Sequence, residues 1–173
     1  MSYADKVKSR HSVRKYSDKQ IDPKFFHSMF DALTNSPTWA NGQEIRYTSI
    51  KSQNARQLLV EASSYNSKYI KRATELIVIS AVENVAAPND SYSHSSKEWT
   101  MFDAGIAAGQ LCMIAWDEGI GSVILGDYDP EVVCKAAQLA SNEFPAAIIC
   151  LGYPAFEPKG PSKLTIECIS RDV

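Results

Sequence analysis

Charge of one sign, clustered histidine and cysteine, and a clean membrane-length apolar run are all missing from this chain. Net charge is −2 over 173 residues, with acidic and basic residues interleaved. The clustered basic face that nucleic-acid binding needs is therefore absent. The 3 histidines (His11, His27, His94) are too scattered to suggest a zinc site, so no metal is expected. The 4 cysteines (Cys112, Cys134, Cys150, Cys168) fall in no Cys-x-x-Cys or Cys/His spacing. They read as buried free thiols in a reducing compartment. With a charged N-terminus that lacks a signal-like apolar segment, this predicts a cytoplasmic protein. No Ser/His/Asp grouping and no paired carboxylates stand out, which leaves a hydrolase poorly supported.

What is present fits one domain over residues 1–173, with an apolar fraction of 45% and a charged fraction of 22%. Tyr3–Ser9 reads as a short helix. Asp22-Pro23 opens a second, with Asp at the cap and Pro in the first turn, and Phe25, Phe26, Met29, Phe30 and Leu33 form its apolar stripe. A strand near Ile45–Ile50 and a helix from about Asn54 to Ser63 follow. The run Leu76-Ile77-Val78-Ile79-Ser80-Ala81-Val82 has the β-branched content of a central strand. Ala86–Ser96 is polar and reads as a loop. The helix predicted from Lys97 to Glu118 is apolar on nearly every side, but Asp103 and Gln110 argue for a core or subunit interface over a membrane span. Ser122–Leu125 and Ala146–Leu151 read as strands, Glu131–Leu139 as a helix, and Leu164–Ile169 as a final strand. The irregular alternation predicts an α+β or mixed α/β layered fold.

Three segments carry candidate chemistry. In Arg10-His11-Ser12-Val13-Arg14, an extended backbone places residues 10, 12 and 14 on one side. Two guanidinium forks and a hydroxyl then converge as a phosphate dianion would require, while His11 alternates to the other side. Taken alone, five such residues are more simply a solvated basic turn. The loop Ser36-Pro37-Thr38-Trp39-Ala40-Asn41-Gly42-Gln43 is rich in amides and hydroxyls able to read a heterocycle edge, or is an ordinary helix-to-strand loop. Gly119-Ile120-Gly121-Ser122-Val123-Ile124-Leu125-Gly126 runs from helix into strand, so it is not a Rossmann fingerprint, and with no Gly-Lys-Ser/Thr it is not a P-loop. Its glycines either let backbone approach a flat ligand or merely punctuate packing.

The order of these segments is informative. Arg-x-Ser-x-Arg-x-Tyr, then Ser-Pro-Thr-x-x-Asn-x-Gln, then Asp103-Ala104-Gly105-Ile106-Ala107, then the glycine-rich strand with Asp129-Pro130-Glu131, then Leu151-Gly152-Tyr153-Pro154 resembles the nitroreductase family across nearly the whole chain. The resemblance implies a three-layer α+β sandwich, with a central mixed or antiparallel sheet flanked by helices, in an intertwined homodimer with FMN at the interface. It places Arg10, His11, Ser12 and Arg14 beside the FMN phosphate, with Lys163 as a C-terminal partner. Thr38, Trp39, Asn41 and Gln43 match the loop beside the isoalloxazine ring. Asn66 aligns loosely with a polar residue at the pyrimidine edge. Leu125 and Gly126 match the strand end whose Gly126 N–H faces flavin N5. The implied activity is ping-pong hydride transfer from NAD(P)H through N5 to a nitroaromatic, quinone or similar small acceptor, with no side-chain acid or base.

Departures from the family pattern keep other readings open. Trp39 stands where a small residue is usual, Glu44 where Pro is common, Gln110 for a frequent Asn, and Asp127 for a small residue beside the N5 donor. Pro161 stands where another basic phosphate ligand is frequent, and the chain is short, with a small or absent lid. A specialised flavin dehydrogenase or dehalogenase, or a flavin-binding redox sensor with little turnover, are the alternatives.

Overall fold

The computed structural model describes residues 2–83 and 96–173, with the side chains of 96 and 97 left aside. The predicted loop at Ala86–Ser96 therefore lies almost wholly outside the described residues. The elements are α1 (Tyr3–Ser9), α2 (Pro23–Leu33), β1 (Ile45–Ser49), α3 (Gln53–Ala62), α4 (Ser67–Arg72) and β2 (Glu75–Val82). They continue with α5 (Ser96–Asp117), β3 (Gly121–Leu125), α6 (Pro130–Ala137), β4 (Glu143–Gly152) and α7 (Ile166–Ile169).

Among the described residues four strands form an antiparallel sheet in the order β1-β2-β4-β3. The continuous apolar runs in β2 and β4 become the two central strands because both of their faces are covered. Ile77, Ile79, Ile149 and Leu151 face the layer holding Phe26, Met29, Leu33 of α2 and Ala104, Ala108, Leu111 of α5. Their neighbours Leu76, Val78, Ile148 and Cys150 face Leu59 of α3, Ile70 of α4 and Val133 of α6. Period-two alternation thus assigns one set of side chains to each helical layer. The expected three-layer sandwich is present, with a sheet that is wholly antiparallel.

Local chemistry explains the helix starts. Ser2 and Asp5 form a capping box on α1, and the Asp22 side chain accepts from Lys24 N–H with Pro23 in the first turn of α2. Asp129 does the same for α6, accepting from Glu131 and Val132 N–H. In α5 the buried face is Ala104, Ala107, Ala108, Leu111, Cys112 and Ala115. Its opposite face leaves Met101 and Phe102 exposed at 43% and 60%, beside Gly105 and Gly109, where an added Cβ would meet nothing within 4 Å.

Two expectations are corrected. The segment Leu164–Ile169 does not extend the sheet; it forms the single exposed turn α7, held locally by Ser170 donating to the Ile166 carbonyl. An alternating apolar pattern alone did not decide between strand and turn where no neighbouring strand pairs with it. Cys112 and Cys150 are buried and Cys134 half-buried, whereas Cys168 sits on the exposed α7 and departs from the buried-thiol reading. Among the described residues no helix is long and apolar enough to cross a membrane.

Candidate functional site

The segment after α1 is pinned to the outer edge of β3. Ser12 makes a parallel bridge with Ser122, Val13 N–H donates to the Ser122 carbonyl at 2.9 Å, and the Tyr16 hydroxyl donates to the Val13 carbonyl at 2.7 Å. Val13 turns inward against Gly121, and Ser12 and Arg14 turn outward, as the alternation predicts. Arg10 is half-buried at the end of α1, with Cys112 of α5 within the reach of its charge. The Arg14 guanidinium lies 5.8 Å from the centroid of the Tyr69 ring. His11 is covered by the C-terminal tail: a Cβ on Gly160 would fall 2.7 Å from its Cε1. Lys163, exposed, follows three residues later.

At the far end of β3, Leu125 is buried and Gly126 is exposed, with open space where a side chain would stand. The next turn is held from below. Ser63 Oγ and Asn66 Nδ2 both donate to the Asp127 carbonyl, at 2.9 and 3.2 Å. Asn66 is 8% exposed, so one of its amide hydrogens is committed to shaping this turn. From Ser122 to Gly126 the strand covers roughly 13 Å at its usual rise.

The Thr38–Gln43 loop precedes β1, and its backbone is unusual. Ala40, Asn41 and Gln43 have φ of 49°, 57° and 52°, a left-handed conformation that costs non-glycine residues energy. Thr38 Oγ1 accepts the Gln43 N–H at 3.0 Å, Arg46 donates to the Gln43 carbonyl at 2.7 Å, and Ser36 donates to Gln110 of α5. Trp39 stacks on Trp99 of α5 with centroids 5.8 Å apart and planes 10° from parallel, and Phe102 meets Trp99 edge-on. The Trp39 N–H donates to Asp103 Oδ2 at 2.7 Å.

Here the structure shows what sequence reasoning missed. Asp103 and Glu44 are 3% and 4% exposed, and their carboxyls face each other. Burial, then the Asp103 hydrogen bond, push the Glu44 carboxyl above its ordinary range. The two residues are remote in sequence, and the only hint was Glu44 standing where the family pattern favours Pro.

The predicted residues thus fall into two groups. Arg10, His11, Ser12, Arg14, Asn66, Leu125, Gly126 and the tail leading to Lys163 surround β3 at one edge of the sheet. Thr38, Trp39, Asn41 and Gln43 lead into β1 at the other edge, three strand spacings or roughly 14 Å away. One chain does not bring the groups together. Elsewhere, Cys150 is pushed up to about 12 by burial, so it is an inert core thiol. Among the described residues no group of three or more His, Cys, Asp or Glu is placed to hold a metal.

Comparison with known proteins bears on this geometry. The model of the nitroreductase family matches residues 7–71 and 60–153. The NADH dehydrogenase of Thermus thermophilus is 23% identical over 184 residues, covering 91% of this chain and 89% of that protein. A candidate NADH dehydrogenase/NAD(P)H nitroreductase of Methanothermobacter thermautotrophicus is 22% identical, covering 91% and 80%. Among solved structures, a candidate nitroreductase of Exiguobacterium sibiricum in complex with FMN superposes with a TM-score of 0.88 at 16% identity, covering 100% of this chain and 98% of that one.

Proposed function

The chain belongs to the nitroreductase family, and on that premise we propose that it is an FMN-dependent NAD(P)H oxidoreductase acting as a homodimer on nitroaromatic, quinone or similar acceptors. The observation that carries this reading is the β3 edge. It presents an outward-facing Ser12 and Arg14 at one end and a bare, exposed Gly126 at the other.

The residues present fit the cofactor. Arg10 and Arg14 offer planar paired donors and Ser12 a hydroxyl to a phosphate dianion. Gly160 packs on His11, which brings Lys163 to within three residues, or at most roughly 10 Å, of that segment. Gly126 lets a flat ring lie against the backbone, next to the turn that Ser63 and Asn66 hold through the Asp127 carbonyl. When bound, FMN supplies the ring that takes hydride from a nicotinamide and delivers it to an oxidant using the same stacking place. The chain's own work is to bind, orient and exclude water. Asp127 is exposed beside Gly126, and a carboxylate close to the ring would disfavour its anionic reduced form and lower its reduction potential.

In this reading the ring-edge loop comes from a second copy, supported by Thr38, Asn41 and Gln43 lying at the opposite edge of the sheet. The exposed apolar face of α5 and the tail residues Leu164, Ile166 and Ile169, each 72% exposed, supply the surface such a dimer would cover. The test is an absorbance spectrum of the purified protein under anaerobic conditions, before and after NADPH and then NADH. A flavin spectrum bleached by either donor supports the proposal. A flavin that neither donor bleaches favours a binding module, and a protein that takes up no FMN overturns the reading.

A further inference from the structure

The Thr38–Gln43 loop holds three non-glycine residues in the left-handed region within four positions. Such residues are strained and persist only where surrounding contacts over-determine them. Trp39 makes two contacts that fasten this loop to α5. Its ring stacks on Trp99, and its backbone N–H donates to Asp103, one helical turn further along the same face. The second contact depends on where the Asp103 carboxyl points. Asp103 is 3% exposed, and the group beside it is the carboxyl of Glu44, 4% exposed, one residue past the loop.

We propose that Glu44 is a positioning residue: by sharing one proton with Asp103 it holds that carboxyl as the acceptor of the Trp39 N–H and keeps the strained loop in place.

Two ionised carboxylates cannot hydrogen-bond to each other. Among the described residues no donor reaches Glu44 Oε2, which is buried. Two buried carboxyls facing each other would repel if both were ionised, so the pair needs a proton carried by one of its members. Of the charged groups that face Glu44, Asp103 on α5 opposes its ionisation and Arg46 on β1 favours it. Arg46 is largely exposed, and its guanidinium is occupied by the Gln43 and Ile45 carbonyls, so it compensates weakly. The Glu44 carbonyl accepts from Val82 N–H, which ties the pair to β2. Because the folded protein holds the Glu44 proton more tightly than the unfolded chain does, the pair's contribution is fully present below the ordinary Glu value. It is lost as pH rises through the elevated one. Above that point two buried negative charges face each other, and the Trp39 anchor loosens.

The importance of the loop rests on the flavin reading, but the test does not. Two indoles stacked in near-parallel planes give exciton-coupled circular dichroism, which is readable in the flavin-free protein and identified by its loss in Trp99→Phe. The signal should fall as pH rises while the far-ultraviolet helix signal stays intact. In Glu44→Gln, whose amide can donate to Asp103 without a titrating proton, it should persist across the same range. In Glu44→Ala it should be weakened at every pH. A wild-type signal that is flat with pH, or a Glu44→Gln signal that titrates like wild type, would overturn the proposal even if FMN binds. Normal titration in a protein that takes up no FMN would keep the clamp and sink only the flavin reading.

Discussion

The Val13 side chain occupies the space that a β-carbon on Gly121 would need, with Val13 Cβ 2.6 Å from that position. Val13 lies between the outward-facing Ser12 and Arg14, so this contact sets how closely the phosphate-directed segment lies along β3. Gly121→Ala should push a branched, buried side chain off the sheet edge, at a cost of about 1–3 kcal/mol. For a chain of this size that is a drop of several degrees in the thermal midpoint. FMN affinity should fall with it, since the Ser12–Ser122 bridge moves. A variant with unchanged melting and unchanged flavin affinity would show that the close approach is not what positions the segment.

Arg10→Ala combined with Arg14→Ala should strip FMN while leaving the fold intact. Neither is a buried core residue, and the Arg14 contact with the Tyr69 ring is that of an exposed side chain. Charge-assisted hydrogen bonds contribute about 1.5–3 kcal/mol each, so losing both should weaken binding by roughly a hundredfold or more. Titration of the flavin-free protein with FMN, followed by flavin fluorescence, measures this directly. Wild-type affinity in the double variant would remove the arginines from the phosphate site.

The legibility of the sequence varied with how local the determining interactions are. Asp22-Pro23 and the three-four spacing of Phe26, Met29 and Leu33 state α2 on their own, and the branched run of β2 states a strand covered on both faces. The helix α4 was not legible. Ser67–Arg72 is short and polar with one buried residue, Ile70, and its C-terminal carbonyls are satisfied by Arg56 from α3. The same holds within the candidate site. Arg10, Ser12 and Arg14 read as a unit because alternation is local. The Glu44–Asp103 pair was invisible because it forms only when α5 packs beside the start of β1.

Arg56 supplies a stability prediction of its own. Its guanidinium donates to the carbonyls of Ile70, Ala73 and Thr74 at 3.0, 2.9 and 3.1 Å, closing the end of α4. Arg56→Met keeps the aliphatic stem but leaves those part-buried carbonyls without their donor. The expected loss is about 2–4 kcal/mol, given that an unsatisfied buried polar group costs roughly 1–3 kcal/mol and some relaxation is available. Urea unfolding read by far-ultraviolet circular dichroism gives the value. A loss below about 0.5 kcal/mol, the range of an ordinary surface change, would mean that water replaces the guanidinium freely.

The placement of the two residue groups at opposite sheet edges makes the strongest prediction about assembly. If the phosphate segment of one copy and the Thr38–Gln43 loop of the other complete each site, two defective chains can rescue one another. A chain carrying Arg10→Ala and Arg14→Ala, and a second carrying Asn41→Ala and Gln43→Ala, should each bind FMN poorly as a homodimer. In the mixed dimer one site receives both defects, while the other receives the intact segment of one chain and the intact loop of its partner. Co-expression with two affinity tags isolates that species, and it should hold one tightly bound FMN per dimer. Should the mixed dimer bind no better than either parent, the two groups would have to serve one chain, and the fold would have to bring both sheet edges to the same ligand.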